Sequence, residues 1–94
     1  MGHLTILTPN DVTTSGRTFT LSNNYRGVLW IFDSTAARCG AYFLFSTGSG
    51  VVATAEIKSA TNITIDTNTA NKITLTPTTG SRVIMIMTVA GSIS

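Results

Sequence analysis

The residues of this chain that could carry out chemistry are few and widely separated. The carboxylates lie at least ten residues apart, and they are Asp11, Asp33, Glu56 and Asp66. Hydrolysis of the glycosidase type needs two carboxylates in one cleft, and this spacing gives no reason to expect such a pair. His3 is the only histidine, so Ser-His-Asp catalysis would depend on one residue beside the N-terminus. We therefore expect that the protein is not an enzyme.

Thiol and metal chemistry have equally little support. Cys39 is the only cysteine, which excludes an intrachain disulfide and, with a single histidine, a Cys/His metal cluster. Cys39 alternates with Ala41 and Phe43, a pattern that favours a small buried residue over a reactive thiolate. The stretch Gly48-Ser49-Gly50 lacks the lysine and the following helix of a phosphate-binding loop. The sequence predicts no catalytic residue, no metal site and no cofactor.

The charge distribution limits the classes of partner. Six basic and four acidic residues give a net charge of +2, and the basic residues are spread over the whole chain. Nucleic-acid binding needs a clustered basic surface, so we expect no nucleic-acid partner. No apolar run approaches the roughly 18 residues of a membrane helix, and the first residues lack the pattern of a secretion signal. We expect neither membrane insertion nor secretion by that route.

The composition favours β structure. The chain is 43% hydrophobic and only 11% charged, and it contains 18 Thr and 9 Ser. Threonine is β-branched, and its hydroxyl keeps the solvent face of a strand polar. Short apolar or alternating runs recur between clusters of Gly, Asn, Ser and Pro. We predict one all-β domain over residues 1–94, a small antiparallel β-sandwich of the jelly-roll-like type with about eight short strands. Residues 1–3 could be native or derive from an expression tag, and the choice of fold class does not depend on them.

Several strands can be assigned individually. Residues 28–32 are continuously apolar and predict a buried strand, with residues 38–45 as its hairpin partner. Residues 62–66 and 72–76 predict a second hairpin. Residues 3–8 predict a short edge strand that stops at the following Pro9. In residues 51–58 we expect Ala53, Ala55 and Ile57 to face inward.

The last apolar stretch, residues 82–89, has two apolar faces. Val83, Met85, Met87 and Val89 alternate with Ile84 and Ile86. Such a strand must be central in a two-layer structure or meet a second subunit. A small chain without disulfides or metals also gains from oligomerisation, and Met suits an irregular contact. The predicted oligomer interface is Ile84, Met85, Ile86, Met87 and Tyr42. Replacing Ile84 or Ile86 with Asp is expected to dissociate or unfold the protein.

One loop provides a candidate ligand site. Sugars stack on aromatic rings and accept hydrogen bonds from Asn and Arg, and these residue types occur together at Asn23, Asn24, Tyr25 and Arg26. Trp30 lies within a continuous apolar strand and is predicted to be a core residue. Tyr42 is predicted to lie in the core or at an interface, with its hydroxyl at the rim. Tyr25 is therefore the candidate for stacking.

The order of these segments resembles a known family. The segments that carry this similarity are residues 27–32 and 40–45, the Gly48-Ser49-Gly50 turn, residues 63–65 and 73–75, and the closing residues 82–87. Their pattern of apolar strands and turns is similar to that of the distal C-terminal domain of bacteriophage tail fibres. The resemblance implies a virion location and a homotrimeric β-sandwich at a fibre tip, which recognises a polysaccharide or protein on the bacterial surface. Two alternatives stay open. One is a capsid or head decoration module that serves assembly alone. The other is a monomeric carbohydrate-binding module, in which Tyr25→Ala would abolish sugar binding without changing the melting temperature.

Overall fold

The chain forms two antiparallel β-sheets packed face to face. A computed structural model describes the backbone of residues 5–94 and the side chains of residues 11–94; His3, at the start of the first predicted strand, lies outside this range. The described part contains eight strands and one short 3-10 turn, which confirms the predicted all-β sandwich. The strands are β1 (Thr5–Thr13), β2 (Arg17–Thr20), β3 (Arg26–Phe32), β4 (Gly40–Ser46), β5 (Val52–Lys58), β6 (Ile63–Asp66), β7 (Lys72–Pro77) and β8 (Ser81–Ala90).

The two sheets differ in size. The larger one has five strands in the order β1-β8-β3-β4-β5, and the smaller one has three in the order β2-β7-β6. The nested pairing of β1 with β8 and of β2 with β7 is the jelly-roll-like feature of the fold. Strand β8 lies between β1 and β3, so the stretch with two apolar faces is central, as predicted. Among the described residues, no helix has the length and apolar character needed to cross a membrane.

Both predicted hairpins are present. β3 and β4 pair antiparallel, with Val28 opposite Phe43, and β6 and β7 pair with Ile65 opposite Leu75. The turns between strands use residues that tolerate a left-handed backbone, including Asn24, Asn62 and Asn71 with φ values of 58, 57 and 62°. Asparagine adopts this conformation more readily than other residues with a Cβ atom. The local sequence pattern therefore predicted both the pairing of these strands and the turns.

Strand β1 extends further than its sequence pattern suggests. It is an edge strand, as predicted, but it continues past Pro9 to Thr13. Its pairing with β8 shifts register between Leu7 and Asn10 and then resumes. Proline has no backbone N–H to donate, so it falls where the ladder is interrupted and does not end the strand.

The core fills the space between the sheets. Thirteen hydrophobic side chains are buried there, and each one contributes about 1.5–3 kcal/mol through burial. The larger sheet supplies Leu29, Ile31, Leu44, Ile84 and Ile86, and the smaller sheet supplies Phe19, Ile73 and Leu75. These residues define the inner face of the five-stranded sheet. Its opposite side, which the small sheet does not cover, is the outer face.

The predicted orientation of β5 was wrong. Ala55 lies opposite Phe43, Ala53 lies opposite Phe45, and all four occupy the outer face. The residue turned toward the core is Val52, which is buried beside β4. Strand side chains alternate, so an error of one residue exchanges the two faces. The apolar side of β5 therefore extends the outer face and adds nothing to the core.

Candidate functional site

The most unusual surface of the protein is the outer face of the five-stranded sheet. It is apolar along β3, β4, β5 and β8, and no second layer formed by residues 5–94 covers it. Five of the six large hydrophobic residues that are exposed in the described chain lie on it, namely Phe32, Phe43, Ile57, Val83 and Val89. The rows between them hold the exposed Ala55 and the half-buried Val28, Trp30, Ala41, Phe45, Ala53, Met85 and Met87. A monomer rarely exposes a continuous apolar patch of this kind.

Strand pairing sets the rows of the outer face. Val28 lies between Phe43 and Met87, and Trp30 lies between Ala41 and Met85. Because neighbouring strands are about 4.8 Å apart, the side chains in a row are in contact distance of one another. The central row therefore joins the indole ring of Trp30 to the flexible thioether of Met85, a combination that adapts to a facing surface.

A depression marks one end of the outer face. Its volume is about 480 Å³, and most of its lining is apolar. The residues that line it and are used below are Arg26, Val28, Phe43, Phe45, Ala55 and Val89. Phe43 is 52% exposed at its rim. We call this feature the Arg26 depression, after its one charged side chain.

The residues predicted for the oligomer interface are divided between the two faces. Met85 and Met87 lie on the outer face and are available to a second molecule. Ile84 and Ile86 have no exposed surface, and Tyr42 is also buried, with its hydroxyl accepting a hydrogen bond from the Ala60 N–H at 2.7 Å. These three side chains pack inside the sandwich of one chain, so they cannot contact a partner directly.

Trp30 is not the core residue that its strand suggested. The burial of β3 alternates, with Leu29 and Ile31 fully buried and Trp30 and Phe32 on the other side. A continuous apolar run does not distinguish a strand buried on both faces from one whose second face is a contact surface. Phe32, Phe43, Ile57, Val83 and Val89 were not selected from sequence for the same reason.

The predicted ligand loop has a mainly structural role. Tyr25 is completely buried, and its hydroxyl forms a hydrogen bond with Thr88 Oγ1 at 2.7 Å. Burial raises the pKa of the Tyr25 phenol, an effect that the bond to Thr88 partly offsets. Its backbone N–H donates to Ser46 Oγ at 2.9 Å. A ring in this position cannot stack on a sugar, so the stacking prediction for Tyr25 was wrong.

The other three residues of the predicted ligand loop lie at the surface. Asn24 is exposed in its left-handed turn, and the Asn23 Oδ1 accepts a hydrogen bond from Asn71 at 2.9 Å. Arg26 is exposed at the edge of its depression. The structure therefore separates the four residues, because the tyrosine points inward and the arginine belongs to the outer face.

An ionic cluster, which sequence analysis did not identify, closes the opposite end of the sandwich. The guanidinium of Arg82 is fully buried and donates to the carbonyls of Thr79, Ser81 and Asn62 at 3.0–3.2 Å. Asp33 Oδ1 lies 3.8 Å from Arg82 Nη1. The Arg82 Nε atom has no hydrogen-bond partner within the described residues. The arginine therefore links β8 to the ends of β3 and β7.

Asp33 is held in its charged form. The Thr35 N–H, which donates to Asp33 Oδ2 at 3.1 Å, is the largest influence that lowers the pKa of this carboxyl. Partial burial raises the pKa, but the Thr35 hydrogen bond together with the charges of Arg82 and Arg38 and the Ser34 N–H outweighs it. This cluster is a structural anchor, because its groups face one another.

The described residues offer little for catalysis. Residues 5–94 contain no group of three or more His, Cys, Asp or Glu side chains that could hold a metal ion. The Cys39 thiol is half-buried and donates a hydrogen bond to the Asp33 carbonyl at 3.2 Å. Its sulfur also accepts a hydrogen bond from the Asp33 N–H at 3.3 Å. Comparison of the chain with protein-family models, with curated proteins and with solved structures finds no match. The candidate site is thus defined by geometry alone, as an apolar contact surface.

Proposed function

We propose that the protein is a non-enzymatic structural or attachment domain of a virion, which works as a homo-oligomer assembled through its outer face. The single observation that carries the proposal is the uncovered apolar face on a sheet whose other face is already closed by a core. A surface of that kind fits assembly better than chemistry, because it presents no convergent polar groups.

The energy available from covering this face is substantial. Phe32 and Phe43 are about half exposed, which leaves roughly 150–250 Å² between the two side chains. At about 25 cal/mol per Å², covering them is worth roughly 4–6 kcal/mol before the entropic cost of association. Trp30 and Met85 add to this total. Self-association is therefore the favoured state at sufficient concentration.

The virion role rests on the resemblance to tail-fibre tip domains, which implies three copies and a receptor on the bacterial surface. In this proposal Asn23 and Asn24 remain the residues for contact with a polysaccharide, since their amides are exposed at one end of the sandwich. That end is distinct from the apolar outer face. Assembly and attachment can thus use different surfaces of one small domain.

Two experiments test the proposal. Light scattering over a range of concentrations should show an oligomer, and a stable monomer at high micromolar concentration would contradict it.

Binding to a bacterial glycan array should fall in Asn23→Ala, with Asn24→Gly as a second variant that keeps the left-handed turn. The Thr64→Ala change on β6 is the matched control and should bind normally. No glycan binding, together with specific binding to assembled capsids, would instead indicate a decoration module.

A further inference from the structure

The two ends of the outer face differ in shape. Phe32 projects from one end, where it lies opposite Val83 and is 45% exposed. The Arg26 depression occupies the other end. Both features belong to strand β3, and the six residues from Arg26 to Phe32 span roughly 20 Å. One surface therefore carries a projecting ring and a depression at opposite ends.

Such a surface is complementary to a second copy of itself. When two copies face each other with antiparallel strands, a two-fold axis perpendicular to β3 places each Phe32 over the depression of the other copy. Sheets packed face to face keep their strand directions within about 30° of each other, which this arrangement satisfies. In a parallel arrangement, Phe32 would meet Phe32 and both depressions would stay unfilled, at a cost in packing.

The Arg26 side chain has hydrogen-bonding capacity left for a partner. Its Nη1 atom donates to the carbonyls of Tyr25 and Ser46 at 2.7 and 2.6 Å. Among residues 11–94, these are the hydrogen bonds that the guanidinium makes, and it forms no ion pair with any of them. The Nε and Nη2 atoms can therefore donate to a carboxylate of another molecule.

A suitable carboxylate lies at the opposite end of the same face. Asp11 is exposed and lies opposite Val83, which in turn lies opposite Phe32, so Asp11 is in the same row as Phe32 but two strands away from it. Lys58 is also at that end, but its ammonium donates to the Cys39 carbonyl at 2.7 Å. An antiparallel pair brings Asp11 of one copy toward the Arg26 end of the other, whereas a parallel pair brings it toward Lys58.

We propose that two copies pair through their outer faces about a two-fold axis perpendicular to β3, with Phe32 of each copy in the Arg26 depression of the other and Asp11 at the Arg26 end of its partner. Trp30 and Met85 then pack at the axis. This inference rests on the proposed function, and it makes a pair, in place of the expected trimer, the unit of assembly.

Four strands about 4.8 Å apart and about seven residues long give a footprint of roughly 400 Å² per copy. Interfaces of that size are at the small end of the range, so the pair should dissociate on dilution.

Sedimentation velocity of the full chain, from micromolar to millimolar concentration, tests the number of copies. The expected result is a monomer–dimer equilibrium with a limiting mass twice the 9.9 kDa of the chain. A trimer would overturn the pairing and leave the proposed function standing. A monomer at every concentration would overturn both.

Charge exchange tests the orientation. Asp11→Arg should weaken the dimer severalfold through repulsion from Arg26 at the same end of the pair, and adding Arg26→Glu to it should restore part of the loss. Adding Lys58→Glu instead is the matched control and should restore nothing. Restoration by Lys58→Glu would indicate parallel copies, and restoration by neither would show that Asp11 does not lie at the Arg26 end of the partner; either result overturns the proposed arrangement. Phe32→Ala should also abolish pairing, while Thr64→Ala in the other sheet leaves it unchanged, and circular dichroism verifies that each variant is folded.

Discussion

The inner and outer faces of strand β8 both carry large aliphatic side chains, but only those of the inner face are fully buried. Ile84 and Ile86 on the inner face have no exposed surface, while Val83 and Val89 on the outer face are about 40% exposed. The difference arises because the three-stranded sheet covers one side of the five-stranded sheet and no other element of the described chain covers the other. Hydrophobicity alone therefore does not tell which face is core. Which face is core depends on the number of layers that the fold provides.

The largest effect is expected where a charge enters the inner face. Ile86→Asp buries a carboxylate without a partner and should cost about 5 kcal/mol or more, which is comparable to the whole stability of a small domain. The variant should be unfolded by circular dichroism. Met85→Asp, one residue earlier on the outer face, should remain folded and lose only self-association. Equal unfolding of both variants would show that the two faces do not differ as described.

A smaller loss is expected at the buried hydrogen bond behind the Arg26 depression. Tyr25→Phe leaves the Thr88 hydroxyl without its partner and should lower the free energy of unfolding by about 1–3 kcal/mol. The double variant Tyr25→Phe/Thr88→Val removes both polar groups and should recover part of that loss. Urea denaturation measures both values. No loss in the single variant would show that the Tyr25 hydroxyl does not make a buried hydrogen bond to Thr88.

Acidification should act on the ionic cluster at the other end of the inner face. The folded pKa of Asp33 is below its usual value of 3.8, so the unfolded chain binds the proton more readily. The stabilisation by Asp33 is therefore fully present above the unfolded pKa and is lost as the pH falls through the folded pKa. Asp33→Asn should show a weaker decrease in melting temperature between about pH 5 and pH 3. An unchanged pH profile in that variant would assign the acid sensitivity to other carboxylates.

The smallest effect on folding is expected on the outer face. Phe43 is half exposed, and Phe43→Thr keeps a residue suited to strands, so the melting temperature in dilute solution should change by less than that of any inner-face variant. Surface substitutions of this kind usually alter stability by about 0.5 kcal/mol or less. Self-association should nevertheless be reduced, because the rim of the depression is lost. A strong destabilisation of the dilute monomer would mean that Phe43 belongs to the core.

The sequence predicted the strands of this fold better than it predicted which face of each strand is buried. The two hairpins, the central position of β8 and the two-layer architecture follow from alternation and turn residues, which act locally. The orientation of β5 and the exposure of Trp30 depend on which sheet faces which, and that is decided by packing between distant segments. An Ala-Ile alternation in β5 shows that one face is apolar and does not show what covers it.

The candidate site was predictable only in part. Met85 and Met87 were found because β8 has two apolar faces, while Tyr25 was misassigned because its polar loop neighbours suggested exposure. It is buried in the hydrophobic core and hydrogen-bonded to Thr88 and Ser46, which are 63 and 21 residues away. Pairs so distant leave no local signature in the chain. The Arg82–Asp33 cluster was missed for the same reason.

Trp30 provides the most direct test of the central claim, that a second copy covers the outer face. It is the only tryptophan, and it lies in the middle of that face between Ala41 and Met85. Quenching of its fluorescence by acrylamide should decrease as the protein concentration rises through the dimerisation range, and Phe32→Ala should remove this dependence. Quenching that is independent of concentration over the same range would contradict the claim.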